Sequence, residues 1–154
     1  MGIDFGFESQ MFEMIKNLNL SETVQVIKNP PREDVLSAYN ESEFLVLPSR
    51  WELSPLTPLE GFAFKKAVIS TTAHGIPYTI QNNKHGLLVE PGNSEQLSNA
   101  ILKFLNDVKN REQCGLEGYK LVKEICNSKT MAINTLKIYE KIISGETPEK
   151  RYTD

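Results

Sequence analysis

Phe44-Leu45-Val46-Leu47-Pro48-Ser49-Arg50-Trp51-Glu52-Leu53-Ser54-Pro55-Leu56-Thr57-Pro58-Leu59-Glu60 is the stretch whose reading decides the fold. The unbroken apolar run Phe44 to Leu47 is the pattern of a strand buried on both faces, as in a parallel sheet. Pro48 and Ser49 turn the chain, and the apolar run from Pro58 to Lys65 predicts a helix. Glu52 falls in the loop and Glu60 about a turn into the helix, with seven residues between them. A helix start carries unpaired N–H groups and the positive end of a dipole, which suits a phosphate. A carboxylate deeper in such a helix can accept hydrogen bonds from paired hydroxyls, such as those of a ribose.

Working outward, the spacing predicts a helix from Ser9 to Leu20 and a short strand over Val24 to Ile27. Asn29-Pro30-Pro31 interrupts the chain, and Arg32 to Asn40 reads as a helix with Val35, Leu36 and Tyr39 on one face. After the central stretch come a strand over Ala67 to Ser70, a short helical piece over Ile76 to Gln81 and a strand over Gly86 to Glu90. Three helices follow, from Asn93 through Leu105, from Arg111 to Cys126 and from Ser128 to Ser144. Alternating strands and helices predict an α/β layered domain, a Rossmann-like parallel sheet with helices on both faces. Ligands in such sheets sit at the carboxyl ends of the strands, where the Asn29, Pro48 and Thr71 loops are expected.

The 154 residues suggest one domain, and 40% hydrophobic with 24% charged residues is ordinary for a globular chain. A net charge of −3 and scattered lysines argue against a nucleic-acid partner. Cys114 and Cys126 have no metal-type spacing and read as idle thiols of a cytoplasmic protein. No apolar run approaches the ~18 residues of a transmembrane segment, which leaves peripheral membrane contact open. His74 and His85 share no ligand spacing, so no metal site is expected.

Four pieces together resemble the retaining GT-B glycosyltransferases of the group 1, GT4-like family. Glu52 and Glu60 match its Glu-x7-Glu signature. Gly2-Ile3-Asp4-Phe5-Gly6 is similar to its Gly-Pro-Asp-x-Gly turn. Ser70-Thr71-Thr72-Ala73-His74-Gly75-Ile76-Pro77 is similar to its strand and GlyGlyxPro loop. Asn83-Lys84-His85-Gly86-Leu87-Leu88-Val89-Glu90-Pro91-Gly92-Asn93 is similar to its Asn-Gly-Leu-Leu-Val-Pro-Gly-Asp segment. The resemblance runs from Gly2 to Ser144. It implies a partial C-terminal, nucleotide-sugar-binding domain over residues 1–144, N-terminally truncated, with a disordered polar tail over 145–154.

The resemblance also implies roles. Glu60 accepts from the ribose hydroxyls of the donor. Glu52 lies near the reacting carbon of the sugar and stabilises positive charge there. The backbone of Leu53, Ser54, Leu56 and Thr57 faces the sugar and diphosphate. Pro55 stands where the family usually has glycine and has no N–H to donate, so the Ser54 and Thr57 hydroxyls compensate. Arg50 and Lys65 are cations for the phosphates. Gly75 supplies a positive φ or a close approach to the ligand. The partner is a nucleotide-sugar, with no cofactor. Since the family has two domains, a separate acceptor-domain chain or self-association through an exposed sheet edge is expected, with little or no activity for this chain alone.

Other readings of the same residues stand beside these. Glu60 also suits an ion-paired helix glutamate, and Glu52, Ser54 and Thr57 suit helix caps. The whole chain also suits an interaction module that pairs its sheet edge with a partner strand. A nucleotide-sugar epimerase of the same fold is a further alternative. A flavodoxin-like module would need a phosphate loop after its first strand, and none is present.

Overall fold

The strand Phe44–Leu47 forms and becomes β1, paired in parallel with β2 (Ala67–Thr71), but among the described residues it is an edge strand with none of its residues buried and Val46 exposed, not a strand covered on both faces. A computed structural model of the chain describes residues 6–145. Of the expected Gly2–Gly6 turn and the polar tail from Gly145, only Gly6 and Gly145 are among the described residues. Two units are separately packed, Met1–Ala38 and Tyr39–Asp154.

In the first unit, α1 (Glu8–Asn17) carries the predicted helix, which ends where Asn19 adopts φ 54°. Lys28 pairs with Glu8, and its ammonium lies 5.3 Å from the Phe12 ring centroid. The strand expected over Val24 to Ile27 is not there: the segment makes no strand pairing. A strand needs a neighbour to take its N–H and C=O groups, and no strand among the described residues pairs with this one. The Asn29 loop is therefore not at the end of a strand. The helix α2 (Arg32–Glu41) follows, and from Tyr39 onward it belongs to the second unit.

The second unit is a three-layer α/β body. Its parallel sheet has the order β1-β2-β3, with β3 over Gly86–Val89. Each residue of β2, the middle strand, is buried. Against the sheet lie α3 (Leu56–Ala63), α4 (Ile76–Thr79), α5 (Ser94–Asn106) and α6 (Val108–Glu124), and α7 (Ser128–Ile143) follows them in the chain. Alternation along the strands divides the core into two faces. Ala67, Ile69, Leu87 and Val89 pack with Ala100 and Phe104 of α5 and Cys114 of α6. Val68 packs on the other side with Phe62 of α3, Ile76 and Ile80, against which Leu45, Leu88 and Leu121 also lie. Gly118 lets α6 approach α3, since a Cβ there would stand 2.3 Å from the Phe62 ring.

Two helix starts differ from expectation. α3 begins at Leu56, before Pro58, because the extended Pro55 serves as its N-cap. α6 begins at Val108, before Arg111, because the Asp107 carboxylate accepts the Asn110 N–H at 3.0 Å. α7 has no buried residue.

Candidate functional site

The site is built from the loops at the carboxyl ends of β1 and β2. Two buried hydroxyls hold the start of the central loop to β2. Ser70, 0% exposed, donates to the Leu47 carbonyl at 2.8 Å, and Thr71, 1% exposed, donates to the Ser49 carbonyl at 2.6 Å. These hydroxyls have no partner within reach along the chain, so sequence reading took them only as strand and loop. Further on, the Glu52 carbonyl accepts the Gly75 N–H at 3.0 Å. The Pro48–Pro55 loop is thus fastened to β2 and to the loop that follows it.

The start of α3 has an unusual donor set. Its N-cap is Pro55, with φ −70° and ψ 129°, and no side chain caps the helix. Neither Ser54, Thr57 nor Glu52 is therefore an N-cap. Proline has no N–H, so Pro55 and Pro58 remove two of the donors that a helix start ordinarily presents. Leu56 and Thr57, both exposed, keep theirs, and among the described residues no acceptor takes either. A pair of adjacent N–H groups at the positive end of a helix dipole is a place for an anion.

Glu60 lies in the second turn of α3, half-buried, where its Oε2 accepts the Tyr39 hydroxyl at 2.8 Å. Sequence reading placed Tyr39 on the apolar face of its helix and missed this role, because the partner lies far along the chain. The Glu52 side chain is also half-buried, and its Oε1 accepts the Leu53 N–H at 3.0 Å. Both carboxylates thus stand on the one segment that leaves β1 and enters α3.

Gly75 differs from expectation. Its φ is −80°, an ordinary value, and the close approach it permits is to this chain's own loop: a Cβ would stand 1.5 Å from the Leu53 carbonyl oxygen. The positive φ of this loop belongs to His74, at 41°. The His74 ring meets Trp51 edge-on, with centroids 6.0 Å apart.

The two cations are placed differently. Lys65 lies beyond the carboxyl end of α3, about 12 Å of helix rise from Leu56, and its ammonium is 5.2 Å from the Tyr119 ring centroid. It is not at the helix start that would face a phosphate. Arg50 lines a cavity of about 220 Å³ with Pro48, Thr71, Glu90 and the first residues of α5. None of Glu52, Ser54, Leu56, Thr57, Glu60 or Gly75 lines it.

His85 is a structural residue. It is 3% exposed, its Nδ1 accepts the Gln81 N–H at 3.3 Å, and its ring meets Phe62 edge-on. Burial, and then the nearby Lys84, push its pKa below the ordinary 6.5. Among the described residues, no three His, Cys, Asp or Glu side chains come together as metal ligands. No helix there is long and apolar enough to cross a membrane.

The profile of the family described as glycosyl transferases group 1 matches residues 4–121, most of the chain. The chain belongs to that family. An uncharacterized glycosyltransferase of Methanocaldococcus jannaschii is 29% identical over 148 residues, which cover 91% of this chain and 42% of that protein. The crystallised C-terminal domain of a group 1 glycosyl transferase from Francisella tularensis superposes with a TM-score of 0.71 at 28% identity. That match covers 81% of this chain and 65% of that one. The Anabaena protein HepE, crystallised with UDP-glucose, superposes with a TM-score of 0.78 at 19% identity, over 91% of this chain and 38% of HepE. The fold is that of the Rossmann-like C-terminal domain of GT-B glycosyltransferases. The group 1 chain spans under half the length of the curated relatives it matches.

Proposed function

We propose that this chain is the donor-binding half of a retaining, GT4-type glycosyltransferase. The whole enzyme moves a sugar from a nucleoside diphosphate to an acceptor hydroxyl. The observation that carries the reading is the α3 start. Leu56 and Thr57 offer two N–H donors there, with Glu52 in the preceding loop and Glu60 in the following turn.

In this reading the diphosphate sits on the Leu56 and Thr57 N–H groups, with the Ser54 and Thr57 hydroxyls beside it. Arg50 adds positive charge from the same loop. Glu60 accepts the ribose hydroxyls. Glu52 faces the sugar and stabilises the positive charge that grows on its ring as the bond to phosphate breaks. The departing phosphate oxygen takes the proton of the attacking hydroxyl, so the domain needs no base of its own. Gly75 acts indirectly, by seating the Glu52 loop. UDP is the nucleotide to test first, since HepE was crystallised with UDP-glucose.

Catalysis by positioning needs both walls of a cleft. The chain alone therefore binds donor and transfers little, and an acceptor-binding partner completes it. A cytoplasmic location follows from the need for a nucleotide-sugar supply. The test is saturation-transfer NMR with UDP-glucose. Glu60→Ala abolishes transfer to the ribose protons, and Glu52→Ala weakens transfer to the glucose protons while the uridine signals remain. Equal signals in all three proteins would refute the assignment.

A further inference from the structure

We propose that Tyr39 is a positioning residue for Glu60, and that through it the site prefers a ribonucleotide over its 2′-deoxy counterpart. The inference rests on the reading of Glu60 as the ribose-binding carboxylate. Tyr39 comes from α2 and Glu60 from α3, and the hydroxyl donates to Glu60 Oε2 at 2.8 Å. Tyr39 is only 9% exposed, and its ring lies against Phe64 with centroids 5.7 Å apart. The donor is thus itself held in place by packing.

A glutamate side chain can occupy several rotamers, and ordering it on ligand binding costs conformational entropy. Recognition of two neighbouring hydroxyls needs the carboxylate in one orientation. A buried phenol that already holds one oxygen supplies that orientation before the ligand arrives, which strengthens binding through preorganisation. The direction of the bond matters too. A tyrosine O–H donating to the carboxylate keeps Glu60 an acceptor, as a ribose diol requires. A carboxylate can accept several hydrogen bonds at once, so the Tyr39 bond is compatible with others.

Packing alone would make Tyr39 matter equally for every ligand. Positioning makes it matter only where the 2′-hydroxyl is read. The experiment is calorimetric titration of the full chain with UDP and with 2′-deoxy-UDP. The proteins are wild type, Tyr39→Phe, Glu60→Ala, the double variant and Phe64→Leu, with a melting curve on each.

Tyr39→Phe is expected to weaken UDP about tenfold and 2′-deoxy-UDP far less, the size of a lost hydrogen bond to a charged group. Combined with Glu60→Ala, Tyr39→Phe should have no further effect. Phe64→Leu, which keeps the Tyr39 hydroxyl but loosens its packing, should reduce the preference for UDP without abolishing it. If Tyr39→Phe weakens both ligands equally, or neither, while Glu60→Ala abolishes the preference, the positioning role falls and the donor-site reading stands. If Glu60→Ala leaves UDP affinity intact, or wild type binds no UDP, both fall. Should Tyr39→Phe not fold, 3-fluorotyrosine at position 39 carries the test. It keeps the ring and its packing and alters only the donor strength of the hydroxyl, so the UDP to 2′-deoxy-UDP affinity ratio should shift, and an unchanged ratio would overturn the positioning role.

Discussion

Gly75 lies so close to Leu53 that a Cβ added to it would stand 1.5 Å from the Leu53 carbonyl oxygen. With the Gly75 N–H on the Glu52 carbonyl at 3.0 Å, the loop after β2 and the loop before α3 are joined backbone to backbone. The candidate sugar-facing carboxylate thus depends on a backbone contact that only glycine allows.

Gly75→Ala tests this dependence. The φ of −80° suits alanine, so the penalty is steric and falls on the loop pair. We expect a loss of about 2–3 kcal/mol in unfolding free energy, typical of forced overpacking. Weaker UDP-glucose binding should accompany it. Denaturant unfolding and calorimetry measure the two. An alanine variant with unchanged stability and affinity would show that the loops can separate without consequence.

Gly118 and Phe62 give a second, independent test of packing. A Cβ on Gly118 would stand 2.3 Å from Phe62 Cδ1. Gly118→Ala should destabilise by about 1–3 kcal/mol. Combined with Phe62→Leu it should cost less than the two single changes added together, the coupling expected of residues in contact. Strict additivity in urea unfolding would contradict the α3–α6 contact.

His85 makes stability depend on pH. Burial and Lys84 lower its pKa in the folded state, against the opposing effects of Glu117 and its hydrogen bond to Thr79. Between the lowered folded value and the ordinary 6.5, the unfolded chain holds more protons at this position. Stability from neutral His85 is therefore complete above about pH 6.5 and declines as pH falls through that interval. Protonation of Nδ1 would also remove the acceptor for the Gln81 N–H. His85→Gln should flatten this part of the stability curve, measured by urea unfolding at a series of pH values. The same decline in the variant would assign it to other groups.

How much of this was legible in the sequence varies by residue. Phe44 to Leu47 announced itself by an unbroken apolar run ended by Pro48 and Ser49, although the strand it forms lies at the sheet edge with none of its residues buried, and it is β2 that is covered on both faces. Val24 to Ile27 is richer in β-branched residues and still fails as a strand. Composition tells what a segment can do, whereas pairing depends on a neighbour elsewhere. Glu52 and Glu60 were visible through their spacing, but the Tyr39 hydroxyl on Glu60 was not, because only the fold brings those elements together. Gly75 does permit a close approach, though not through a positive φ. The glycine admits a carbonyl of its own chain, and the positive φ falls on His74. Lys65 looked close to the phosphates in sequence, yet a helix of eight residues carries it to the far end.

The most direct measurement is thermal unfolding of the chain with and without UDP and UDP-glucose, beside Glu60→Ala. The account predicts a cooperative transition that UDP raises, adding about 2.7 kcal/mol at a hundredfold excess over Kd, with the rise lost in Glu60→Ala. A cooperative transition that neither ligand moves, or a rise that survives Glu60→Ala, would contradict it.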